Sequence, residues 1–170
     1  MNYKIKYKNI FMVEIMKQYD EQRKKLEKIF SDLKMKYEYQ EFEDDDLNYF
    51  ITFDAPDGRL KRLKSIDGIL YLSPRMYMLN LLILNIYRFK ESDDFETFYK
   101  IINLVNSKLT YGSFYIHQQD DDMPQIIYRS STHCGNEFLI LDEQLIKSII
   151  VNFVIGLDEL FNIIFKEKSE

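Results

Sequence analysis

From residue 13 to about 36 the apolar positions recur every three, four or seven residues. Ile15, Tyr19, Leu26, Phe30, Leu33 and Tyr37 fall on one stripe, which predicts an amphipathic helix. Asp20 with Lys24 and Glu21 with Lys25 place acid before base at i,i+4 on the wet side. After the acidic stretch 41–46 the period drops to two. Leu47, Tyr49, Ile51 and Phe53 alternate with Asn48, Thr52 and Asp54, which predicts a strand. Pro56-Asp57-Gly58 and Asp67-Gly68 read as turns, so the charged segment 59–66 between them reads as an exposed strand. Ile69 to Leu72 then makes another. The run from Met76 to Tyr87 is nearly all apolar, and its β-branched Ile83 and Ile86 predict a central strand buried on both faces.

A second helix opens at Asp93, where Asp93-Asp94-Phe95-Glu96 fits a capping box. Phe95, Phe98, Tyr99, Ile102, Val105 and Leu109 line one face, and Gly112 closes the segment. Strands are predicted at 113–118, 125–130 and 137–141, and Asp142 caps a last helix that runs to about Lys166. Most of the phenylalanines and tyrosines thereby find core positions, among them Tyr49, Phe53, Phe95, Phe98, Phe114, Phe153 and Phe161. The order is α-β-β-β-β-α-β-β-β-α. Short turns between strands make the sheet mostly antiparallel with helices packed on it, an α+β class. The 170 residues suit one domain, spanning 13–170, with residues 1–12 a tail or an extra strand.

The last helix is apolar most of the way round. Opposite a core face that includes Ile149, Phe153 and Leu160 lie Val151, Val154, Ile155 and Phe165. In the second helix Ile101 and Leu104 lie off the predicted core face. These six residues are the candidate protein interface, since apolar surface beyond what one small domain hides meets a partner.

Charge and chemistry narrow the picture further. A net charge of −5, with 23 basic against 28 acidic residues, argues against a nucleic-acid partner. The basic stretches 23–25 and 59–64 sit beside acids and read as solvated faces. The apolar stretch 149–157 is short for a bilayer span, and a lone Cys134 suits a reducing compartment, so a cytoplasmic protein without a membrane is expected. Five glycines leave no phosphate-binding loop, and no cofactor is expected. Cys134 with His117 or His133 is the one nucleophile arrangement, that of a small hydrolase or transferase, but neighbours on an extended chain point to opposite faces. Acidic clusters at 41–46 and 120–122 lack calcium-loop spacing. A metal-dependent enzyme built on them is the weakest alternative.

The element order carries a resemblance. A leading helix, a run of strands, a helix ending Ile101-Ile102-Asn103-Leu104-Val105-Asn106, then Tyr111-Gly112-Ser113-Phe114-Tyr115-Ile116, Ile126-Ile127-Tyr128-Arg129 and a closing helix with Asp158 resemble the YbjN-like family. The likeness covers roughly residues 20 to 165. That family is described as candidate bacterial sensory transduction regulators with a fold like type III secretion chaperones. The resemblance implies a domain without catalysis, homodimers formed through the helix from Asp93 to Leu109, and binding of other polypeptides. It supplies no active-site residues.

Overall fold

A computed structural model describes residues 19–40, 47–54, 65–73, 78–118, 123–134 and 142–167. The first helix, α1, is described over 19–32, and its stripe Leu26, Ile29, Phe30 and Leu33 packs inward. It stops earlier than the periodicity predicts. Lys34 adopts a left-handed φ of 54°, its N–H bonds Ser31 O, and the Met35 N–H bonds Phe30 O. This is a Schellman-type end with lysine where glycine is usual. Residues beyond it form strand β1 (Lys36–Gln40), so Tyr37 belongs to the sheet and not to the helical stripe.

Strands β2 (Leu47–Asp54), β3 (Ser65–Ser73), β4 (Met78–Arg88), β5 (Ser113–His117) and β6 (Gln125–His133) complete one six-stranded sheet in the order β1-β2-β3-β4-β6-β5. Every pairing is antiparallel. The expected turn at Asp67-Gly68 is corrected, because both residues lie inside β3, opposite Thr52 and Ile51 of β2. The cross-strand partners supply what a turn would have lacked, a continuous ladder. The exposed strand expected at 59–66 falls largely outside the described residues, as do the tail 1–12, the helix start at 13–18, and the strand at 137–141. The described order is therefore α-β-β-β-β-α-β-β-α, an α+β fold.

Helix α2 (Phe95–Asn106) is capped by Asp94, one residue later than predicted. Asp94 Oδ1 accepts the Glu96 N–H at 3.0 Å, and Oδ2 accepts the Thr97 hydroxyl at 2.7 Å. These bonds hold the Asp94 carboxyl below its ordinary pKa. Asp93 turns back instead, taking the Tyr87 hydroxyl at 2.8 Å and the Lys90 N–H at 2.9 Å. Helix α3 (Glu143–Glu167) starts as expected, with Asp142 Oδ1 accepting the Leu145 N–H. Lys147 reaches Asp32 of α1 at 2.8 Å, and Lys108 pairs with Glu159, so α3 is tied to α1 on one side and to the end of α2 on the other.

All three helices pack on the sheet face that carries Tyr49, Leu70, Leu81 and Tyr128. Phe153 of α3 sits 4.8 Å from the Tyr128 ring and 6.3 Å from Phe114, which locks the helix layer to β5 and β6. Asn106 holds β5 by two hydrogen bonds to the Phe114 backbone: its side-chain amide donates to Phe114 O and its Oδ1 accepts from the Phe114 N–H. The 107–112 turn between α2 and β5 is held by Asn152, whose side-chain amide donates to Tyr111 O.

Candidate protein-interaction surfaces

The helix layer is where the six interface candidates lie, and the structure separates them. Ile101 is 5% exposed and belongs to the core, a correction to its expected place. The buried face of α2 is Phe98, Ile101, Ile102 and Val105, rotated from the predicted face, so Phe95 and Tyr99 are the residues left outside. Phe95 is held there by stacking on Phe89, with ring centroids 4.7 Å apart. Leu104 is 50% exposed on the outer side of α2. On α3, Val151 is 44% and Ile155 61% exposed, one helical turn apart, while Val154 and Phe165 are half-buried against the core. Gln144, Ser148 and Asn162 continue that outer stripe with polar groups, so the apolar part is confined to the middle of α3.

A second surface was not anticipated. Expected to be covered on both faces, β4 is covered by the described helices on one; on the other Asn80 is still buried. Its alternate residues Leu82 and Leu84 are half-buried and exposed. The ladder puts Phe50, Ile69 and Leu82 in one cross-strand row on this open side, with Tyr71 beside them. A β-bulge between Ile83 and Tyr87 then turns the strand, with Asn85 at φ 54°. Asparagine tolerates that left-handed backbone better than most residues. The Asn85 backbone N–H donates to Gln125 Oε1 at 3.0 Å, and its side-chain Oδ1 accepts from the Arg88 guanidinium at 3.2 Å. Beside the bulge, Phe50, Ile69 and Leu84 rim a shallow recess of about 280 Å³ with Asp67 at its edge. Alternation along β2 and β3 carried the signal for this surface. Reading β4 as buried on both faces hid it.

The proposed nucleophile is not assembled. Cys134 is buried at the far end of β6, and burial pushes its thiol up to about 11. His117 pairs with Gln125 at the other end of that strand, nine residues away, or roughly 30 Å of extended chain. His133 is exposed on the open side, opposite Met78. Cys134 is accordingly expected to react slowly with a disulfide reagent in the native protein below about pH 9. Full reactivity should appear on unfolding in urea. A native thiol that reacts within seconds at pH 7.5 contradicts this environment. The raised value also sets a sign: the thiol's contribution to stability is complete below the ordinary thiol range and is lost as pH rises through about 11.

Among the described residues no group of three metal-ligating side chains occurs, and both acidic clusters, 41–46 and 120–122, lie outside them. Arg23, in one of the basic stretches, bonds Glu27 at 2.8 Å and lies 4.0 Å over the Tyr39 ring. The Tyr49 hydroxyl and the Gln22 amide, the latter in the helical stripe of α1, are buried without a hydrogen-bond partner. Residues 143–165 of α3 are long and apolar enough to cross a bilayer by length and composition, a wider stretch than 149–157 suggests. In this fold their buried stripe, from Ile146 to Ile164, forms the centre of the core.

Among the described residues the architecture is thus a six-stranded antiparallel sheet with three helices on one face and apolar groups left on both outer sides. It is similar to the crystal structure of YbjN from E. coli, described as a candidate transcription regulator, at a TM-score of 0.51. The similarity covers 83% of this chain and 90% of that one at 11% sequence identity, which makes it a likeness of fold. No family model matches the chain, and no curated protein does.

Proposed function

We propose that this chain is a non-enzymatic protein-binding domain with a regulatory or chaperone-like role, acting as a homodimer in the cytoplasm. The observation that carries the reading is the apolar surface left outside a complete core, above all Val151 and Ile155 on α3 with Leu104 on α2. Apolar side chains clustered at helical spacing on an outer surface offer a polypeptide partner a place to bury its own. The likeness of fold to a candidate transcription regulator supports the regulatory part. The separation of Cys134 from His117 weighs against a thiol enzyme.

The joint substitution Val151→Glu and Ile155→Glu tests the binding part. Both sites are exposed, so the fold should change in stability by about 1 kcal/mol or less. Capture of polypeptides from native lysate by the immobilised full chain should fall at least tenfold. Undiminished capture by the folded variant contradicts the reading.

A further inference from the structure

We propose that two copies of this chain pack face to face through the open side of the sheet, about a two-fold axis running along the strands between β3 and β4. The proposal rests on the dimeric reading above and names its surface, leaving the outer helix patch for a different polypeptide.

The first support is the continuity of the apolar row. Phe50 pairs with Ile69, and Ile69 with Leu82, so three adjacent strands carry apolar groups across the middle of the face. The Ile69–Leu82 pair marks the centre of the six-strand order. A face of this kind buries itself best against another twisted sheet, with strand directions within about 30° and sheets about 10 Å apart.

Charge selects the second copy as the occupant. The chain carries net −5, so two copies repel over most of their surfaces. On the described open side the charges are instead divided. The β1–β3 half holds Glu38 and Asp67 with Lys36, while the β4–β5 half holds Arg88 and Arg129. Rotation about the stated axis sets the basic half of one copy over the acidic half of the other, so the contact is attractive twice over. That is the self-complementarity an isologous interface requires.

The area is sufficient. Six strands at about 4.8 Å and a patch of about 20 Å along them project about 600 Å² per copy, or about 1,200 Å² for the pair. That reaches the lower bound of about 1,200 Å² for a specific interface. The sheet edges offer less, because β1 and β5 are five residues each and expose few ladder groups.

Sedimentation equilibrium on the full chain tests this with Ile69→Lys on the open face and Val151→Glu on the helix layer. The wild type and Val151→Glu should dimerise alike, and Ile69→Lys should raise the dimer Kd at least tenfold. A folded Ile69→Lys chain that dimerises as the wild type does overturns the face assignment while leaving the dimer standing. A wild type that stays monomeric removes both. Should Ile69→Lys fail to fold, a bis-maleimide of about 10 Å span applied to Leu82→Cys decides the matter. Leu82→Cys should link to its own copy, and Tyr99→Cys on the outer side of α2 should not; the reverse pattern, or no link at Leu82→Cys, overturns the proposal. The native Cys134 is buried and does not compete.

Discussion

Gly112→Ala should lower the stability of the protein by about 3 kcal/mol or more. Two costs combine. Gly112 sits at φ 70°, a left-handed conformation that costs an L-residue with a Cβ roughly 1–2 kcal/mol. The added Cβ would also stand 2.4 Å from the Tyr128 hydroxyl oxygen, 2.5 Å from its ring carbon and 2.7 Å from Arg129 O. The hydroxyl cannot simply move, because it donates to Tyr111 O at 2.5 Å from a fully buried ring. Losing that bond adds about 1 kcal/mol. Urea unfolding should show the midpoint falling with little change in slope. A loss under 1 kcal/mol would mean that the 107–112 turn can re-form in another conformation.

Phe153→Ala should cost about 3–5 kcal/mol, the range for removing a fully buried aromatic ring. Phe153 is completely enclosed, and its ring is the contact through which α3 meets Tyr128 and Phe114 on β6 and β5. Truncation would leave a void bordered by two rings that are themselves anchored, Tyr128 by Tyr111 and Phe114 by Asn106, so collapse into the space is limited. The same titration checks it, and Ile155→Ala serves as the contrast on the exposed side of the same helix, where under about 0.5 kcal/mol is expected. Equal losses at the two positions would place the core elsewhere.

What the sequence made legible followed from strong periodicity. The stripes of α1 and α3, the alternation of β2 and the cap at Asp142 carried local signals that the packing obeys. The misses have local causes. Tyr37 fits both a helical stripe and the alternating pattern of β1, and the stop between them is Lys34, with no glycine to announce it. Asp67-Gly68 has the composition of a turn, yet lies in a strand because Ile83 fills the space that a side chain at Gly68 would take. In α2 the apolar residues cover more than half the circumference, so propensity could not choose between Ile101 and Tyr99 for the core; packing against α3 and the sheet did. The interface candidates were legible in part, since Leu104, Val151 and Ile155 do lie outside. The open face was not, because a continuous apolar run such as 81–84 does not say which of its two sides is covered.

The central claim is that the apolar open face of the sheet joins two copies of the chain. Sedimentation equilibrium of the unmodified chain up to about 100 μM tests it most directly. A reversible species of twice the chain mass is expected. A single ideal species at the mass of one chain across that range contradicts it.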